Sequence, residues 1–402
     1  MKGHIRQRTK GSWTLWVDLG RDPETGKRKQ QTLTVRGTKR DAERELRNLL
    51  QSLETGSYVK PSRLTLGQWL EQWCQSYVST NCSLRTADSY QSEVRNHLTP
   101  ALGRIPLTQL QPQHLQNYYG QATVGGRADG RGGLSARTVR YHHRILFEAL
   151  SHAVKMGLAG RNVAEAISPP RLERKNMASL APEDVPQFLE ATQDTPYHVL
   201  FYTALYTGMR LGELLGLRWC DVDLDMASLS VVQSLYKRCG VCKMIEPKTS
   251  HSRRRIAMSP SLALLLRKHK ADQQVQRILL GKPLVDSDLV FSHVDGEPLD
   301  PGVISHNCAR VLKKAGLPHI RFHDLRHSHA TLLLKAGIHP KIVSERLGHA
   351  NIGITLDTYS HVLPGLQERA AERFDEMLET RLTAENVSKM LANGVGPDSM
   401  GR

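Results

Sequence analysis

The chain has 402 residues, 39% of them hydrophobic, which is too long for one ordinary domain and enough for the cores of two or three. A formal net charge of +16 and a pI near 9.7 point to a polyanionic partner, with nucleic acid first. No stretch approaches the roughly 20 apolar residues of a membrane-spanning helix, and the N-terminus, starting Met1-Lys-Gly-His-Ile-Arg6, lacks the apolar core of a secretory signal. A cytoplasmic protein with no membrane role is expected. Six cysteines in this length do not make a disulfide scaffold. The single C-x-x-C, Cys239-Gly-Val-Cys242, lacks the second pair of a zinc site and reads as a hairpin turn.

Residues 1–60 form a small basic module with 14 Lys/Arg against 7 Asp/Glu, nearly half of the chain's excess charge. Trp13 to Leu19 alternates as a strand, Asp22 to Gly26 is a turn, and Lys27 to Val35 is a second strand. Thr38 then caps a helix to about Leu53. After a linker at 56–62 the pattern becomes helical. Leu66, Trp69, Leu70, Trp73 and Tyr77 make one apolar stripe, which assigns the tryptophans to a core. Further helices are expected at 83–98, 112–119 and from Ser135 to a left-handed cap at Gly157. An all-helical domain therefore spans 65–168. Its Arg127, Arg131, Arg137, Arg140 and Arg144 either follow a DNA backbone or form a solvated face.

Ser168-Pro-Pro170 begins a second linker. The region 175–382 mixes helices with a small antiparallel sheet. Helices are expected at 182–194, 196–207, 210–217, 260–279, 301–315, 323–337, 340–347, 352–361 and 364–381, and strands at 228–235, 243–247 and 254–258. Residues 383–402, rich in Gly, Asn and Met, read as an unstructured tail.

This last region holds the groups that phosphodiester transfer without a metal requires. Planar arginines neutralise the equatorial oxygens, and a nucleophile, an acid and a base complete the set. Arg210 opens a helix after Gly208, with Glu213 one turn on, either to hold it or as an ordinary surface ion pair. His323 and Arg326 share a helix face in His323-Asp-Leu-Arg-His-Ser-His329. A metal site from His323, His327 and His329 is the weaker alternative, since no HExxH pattern accompanies them. Tyr359 follows His349 by ten residues.

In order, Thr207-Gly-Met-Arg-Leu-Gly-Glu213, Pro247-Lys-Thr249, His323-Asp-Leu-Arg-His327, Leu347-Gly-His349 and Asp357-Thr-Tyr-Ser-His361 resemble the phage-integrase group of tyrosine recombinases over residues 180–363. The resemblance implies a mixed, mainly α fold: an arm-type DNA-binding module at 1–60, a helical SAM-like core-binding domain at 65–168 and an α+β catalytic domain at 175–382. It implies that Arg210 and Arg326 clamp the scissile phosphate, that Lys248 protonates the leaving 5′ oxygen, and that His323 is the general base. His349 would hydrogen-bond the phosphate, Tyr359 would form a 3′-phosphotyrosyl link, and Glu213 would support them. No cofactor or metal is implied. The implied partners are double-stranded attachment-site DNA, three further copies in a tetramer on that DNA, and accessory bending or directionality factors. The helix after Pro364 could dock on a neighbouring copy or pack within its own chain. A site-specific recombinase that integrates and excises a mobile element is the leading reading. A topoisomerase-like nicking and sealing enzyme and a DNA-binding regulator without catalysis are the alternatives.

Overall fold

The computed structural model of the chain describes residues 3–21, 26, 28–54, 62–127, 129–172, 179–238, 240–246, 253–359, 371–372 and 374–375. The chain divides into two compact units, Met1–Arg174 and Lys175–Arg402.

The first unit opens with an antiparallel sheet of three strands in chain order, β1 (Gly3–Thr9), β2 (Ser12–Arg21) and β3 (Arg28–Arg36), followed by α1 (Lys39–Glu54). Strand β1 was not expected from the sequence. It carries one large apolar residue, Ile5, and owes its place to backbone pairing with β2 and to His4 stacked on Trp16 at 4.9 Å. Strand alternation buries Leu15 and Val17 on one face, where Ala42 of α1 is also buried. The other face carries Arg6 opposite Thr14, and Thr32 and Thr34 opposite Trp16 and Thr14.

The helices that follow are α2 (Leu66–Trp73), extended by a π turn at Cys74–Val78, then α3 (Leu84–Glu93), α4 (Pro112–Gly125) and α5 (Ala136–Lys155). Thr65, Ser83 and Ser135 cap α2, α3 and α5 through their hydroxyls. Trp69 and Trp73 are buried as expected, and the Trp69 indole N–H donates to the Ala149 carbonyl at 3.0 Å. Gly157 takes the left-handed conformation just past α5. Arg127, Arg131, Arg137, Arg140 and Arg144 are all exposed. Arg127 pairs with Asp129 and Arg144 with Glu148.

The second unit is built on α6 (Asp184–Thr192), α7 (His198–Thr207) and α8 (Leu211–Leu215), and later on α9 (Pro260–Leu279), α10 (Pro301–Lys314), α11 (Phe322–Lys335), α12 (Pro340–Leu347) and α13 (Ile352–Tyr359). Between them lie β4 (Val222–Asp223), β5 (Ser228–Val231), β6 (Ser234–Arg238), β7 (Val241–Ile245) and β8 (Arg254–Ala257). Strands β4, β5 and β8 make one antiparallel sheet, while β6 and β7 make a separate hairpin. The single strand expected at 228–235 is therefore two strands in different sheets. The reason lies in α8: a Cβ on Gly212 would meet the Leu235 carbonyl at 2.8 Å, and one on Gly216 would meet the Leu235 nitrogen at 3.1 Å. The two glycines let β6 run directly against α8, so the chain leaves the first sheet at Val232. The hairpin pairs Arg238 with Val241, with Gly240 at φ +83° and Cys242 on β7, while Cys239 lies outside the described residues. The helix expected at 364–381 lies almost entirely outside the described residues, as do 383–402.

Candidate active site

Helix α7 ends at Gly208, whose φ of +65° suits glycine alone without strain. Space also requires it, because a Cβ there would lie 2.7 Å from both His329 and Leu347. Two residues later Arg210 caps α8. Its backbone N–H donates to Glu213 Oε2 at 3.0 Å and its guanidinium to Oε1 at 2.7 Å. Glu213 is 6% exposed and takes a second arginine: Arg254 on β8 donates to both its oxygens, at 3.2 and 2.8 Å. Burial alone would raise the Glu213 pKa. The Arg254 hydrogen bond and the charges of Arg254 and Arg210 outweigh it and bring the carboxyl down to about 2.

Arg326, on α11, is 3% exposed. It makes no ion pair among the described residues. Its fork donates instead to two backbone carbonyls, Gly208 at 2.8 Å and Leu347 at 2.6 Å. These carbonyls end α7 and α12, where helix dipoles leave partial negative charge. Arg326 thereby ties the Arg210 segment and the His349 segment to one helix. Burial and the charge of Arg210 both work against its own charge, lowering its pKa. A buried guanidinium without a counter-ion gains more from an incoming anion than a paired one. Arg346 extends the pattern, donating to the carbonyls of Ala257 and Tyr206 and to His329 Nε2, at 2.9, 2.9 and 3.1 Å.

His323 sits one turn before Arg326 at the exposed start of α11. Crowding by protein, followed by the charges of His327, Arg326 and Arg210, holds it well below the usual imidazole range. His349 follows the left-handed Gly348 and bonds the Thr355 hydroxyl through Nδ1 at 2.8 Å. Burial first, then Arg326, Arg210 and Arg254, push it down to about 4. Both imidazoles are thus neutral at physiological pH. His329 faces Arg346, and among the described residues no three His, Cys, Asp or Glu gather as a metal would need.

Tyr359 ends α13 and is 2% exposed, packed with Ala330, Leu334, Val343 and Leu347. Its phenol meets His327 Nδ1 at 2.6 Å. Burial raises the phenol pKa to about 12, against the lowering pull of Arg326.

Arg210, Glu213, Arg326, His349 and Tyr359 are linked through these contacts, and His323 stands on the same helix as Arg326. Lys248 lies outside the described residues. Three participants were not singled out from the sequence. Arg254 had a legible signal: strand alternation in Arg254-Arg-Ile256 puts it on the same face as buried Ile256, where a charge needs a partner. His327 had been weighed only as a metal ligand. Arg346, one turn from His349, has no local signal, because its partners come from distant carbonyls.

Residues 178–365 match the Phage integrase family, and residues 65–121 match the Phage integrase, N-terminal SAM-like domain. The chain is 28% identical over 385 residues to a tyrosine recombinase XerC-like protein of Caldanaerobacter subterraneus, covering 91% of this chain and 96% of that one. It is 27% identical over 383 residues to the ICEBs1 integrase of Bacillus subtilis, covering 93% and 100%. Its fold resembles the Tn1549 transposon integrase in complex with transposon right end DNA, at TM-score 0.65 and 22% identity, over 77% of this chain and 99% of that one. It also resembles a lambda integrase tetramer bound to a Holliday junction, at TM-score 0.53 and 22% identity, over 86% and 95%. Arginines fixed by helix-end carbonyls beside a helix-borne tyrosine, carried on this fold and on both family matches, place the chain in the phage integrase family of tyrosine recombinases.

Proposed function

We propose that the chain is a site-specific DNA recombinase, an integrase that moves a mobile element in and out of DNA through a covalent link on Tyr359. The observation that carries this reading is the guanidinium excess beside the tyrosine. Arg210 pairs with the carboxylate of Glu213, which also holds Arg254; Arg326, among the described residues, donates to carbonyls and to no carboxylate, and the Tyr359 phenol reaches the next residue of the same helix. Such a site is incomplete without an anion, and a phosphodiester supplies one.

In this reading Arg210 and Arg326 bind the two non-bridging oxygens, and Glu213 keeps Arg210 in place. His323 and His349 present neutral imidazoles to the phosphate, and Lys248 protonates the leaving 5′ oxygen. Tyr359 attacks phosphorus, and the bond to the protein conserves the energy for rejoining, so no nucleotide cofactor is required. Residues 1–60 bind arm-type DNA sites. The outward sheet face carries Arg6, Trp16, Thr32 and Thr34, a mix of cationic and hydrogen-bonding side chains suited to DNA. Residues 65–168 hold the core site, 175–382 cut and rejoin it, and 383–402 are a tail. Four copies act together on two DNA duplexes, an arrangement supported by the lambda integrase solved as a tetramer bound to a Holliday junction, and accessory bending or directionality factors assist them. No described helix is long and apolar enough to cross a membrane, which suits work on DNA in the cytoplasm.

The test is covalent trapping on a duplex selected for binding from a random-sequence pool and nicked so that the cut end is lost. The wild-type protein gives an adduct on a denaturing gel. Tyr359→Phe binds the same duplex with unchanged affinity and gives none. An adduct with Tyr359→Phe overturns the assignment of the nucleophile. No wild-type adduct with binding intact favours a DNA-binding regulator.

A further inference from the structure

We infer that His327, the residue after Arg326, is the group that orients the Tyr359 hydroxyl and takes its proton when the phenol attacks. This rests on the reading of Tyr359 as nucleophile and deepens it. The resemblance assigns the base role to His323, but the contact belongs to His327: its Nδ1 lies 2.6 Å from the phenol oxygen, with the ring centroids 5.8 Å apart and the planes at 54°. His323 stands one turn away, edge-on to His327 at 5.2 Å between centroids. Helical spacing makes this division of labour. Positions 323 and 327 lie one above the other, and the later one faces the end of α13, where Tyr359 is buried.

The direction of the hydrogen bond follows from chemistry. A buried phenol held near pKa 12 keeps its proton and donates. An imidazole lowered by burial is neutral and accepts at Nδ1, its own proton on Nε2. The groups around His327 are Asp324, which favours its cation, and Arg326 and Arg321, which oppose it, with His323 on the same helix and Tyr359 from α13. Its charge also bears on His349. In the step itself the Tyr359 oxygen forms a bond to phosphorus while the bond from phosphorus to the 5′ oxygen breaks. The phenol proton passes to His327 Nδ1, giving an imidazolium beside the newly bound phosphate, and the leaving oxygen takes a proton from the Lys248 ammonium. Rejoining runs the transfers backward, so one imidazole serves both halves of the cycle.

His327→Asn separates orientation from proton transfer, because the Asn carbonyl oxygen replaces Nδ1 as acceptor yet cannot hold a proton. In the full-length protein, on the binding-selected nicked duplex, the rate of adduct formation is measured from pH 5 to 8. The wild-type rate falls on the acid side as His327 becomes protonated, below the ordinary imidazole value near 6.5. His327→Asn binds DNA as the wild type does, forms adduct on the order of 10²-fold more slowly, and loses that acid limb. A wild-type rate and an unchanged acid limb in His327→Asn overturn the proposal. So does an acid limb that vanishes in His323→Asn while His327→Asn keeps it. Tyr359→Phe run alongside separates the two levels: an adduct in that variant removes the nucleophile itself, whereas its absence leaves His327 to be judged by the pH profile.

Discussion

Glu213 shows how much one buried carboxylate can decide. Its two oxygens hold the capping N–H of Arg210, the Arg210 guanidinium and the Arg254 fork. Removing its charge takes a buried counter-ion from Arg210 and from Arg254, whose side chain is 6% exposed. Glu213→Gln is expected to lower stability by about 3 kcal/mol in urea unfolding at pH 7, the scale of breaking a buried pair. An unchanged unfolding midpoint would mean that the arginines need no anchor. The same carboxyl sets an acid dependence. Its pKa is depressed in the fold, from an ordinary 4.5 to about 2, so its contribution is fully present above 4.5 and is lost as pH falls through 2. That contribution is about 3 kcal/mol, and stability measured between pH 5 and 2 should fall less steeply in Glu213→Gln than in the wild type. At this scale the sequence exposed the residue types, because Arg210 and Glu213 stand three apart. For Arg254 strand alternation signals burial but not the partner, which is 41 positions away and is met only when β8 packs against α8.

Among elements, the ends of helices carry the site more than their middles. Gly208 closes α7, Gly348 closes α12, and the carbonyls of Gly208 and of Leu347, just before Gly348, receive Arg326. Gly208→Ala would force a side chain into the left-handed region, at a cost of about 1–2 kcal/mol, and push a Cβ against His329 and Leu347. We expect a lower thermal midpoint together with a loss of adduct formation greater than stability alone explains, since the Gly208 carbonyl that fixes Arg326 must move. Loss of stability with the adduct rate unchanged would show that Arg326 does not depend on this cap. The helices were legible because their caps and apolar periods are local: Ser259 before Pro260 marks the start of α9 to the residue. The break between β5 and β6 was not, because Gly212 in α8 and Gly216 just past its end cause it from outside the strand. Strand β1 was missed for a related reason: its hydrogen bonds come from β2, and its own side chains give no alternation.

For the whole molecule, charge and modularity set the expectations. A chain of net charge +16 with its excess concentrated at the N-terminus is expected to lose affinity steeply as salt rises. Deleting residues 1–60 should leave cleavage of a core-site duplex intact, because the described contacts of Arg210, Arg326 and Tyr359 all lie in the second unit. The same deletion should reduce complete recombination and flatten the salt dependence of DNA binding, read by gel shift at several salt concentrations. Recombination at full rate by the shortened chain would remove the arm-binding role from this module.

By itself the sequence determined the reaction class, the order of the parts and most helices. Net charge, local caps and short motifs are properties of neighbouring residues and survive without a fold. The tertiary structure decided which charges are paired and which are left open. Arg326 bonding the Gly208 and Leu347 carbonyls, Arg254 reaching Glu213, and His327 rather than His323 meeting the Tyr359 phenol are outcomes of packing between segments far apart in the chain. No periodicity encodes them, because a hydrogen bond is fixed by where two elements meet, and that is set by the cores around Phe201 and around Leu347.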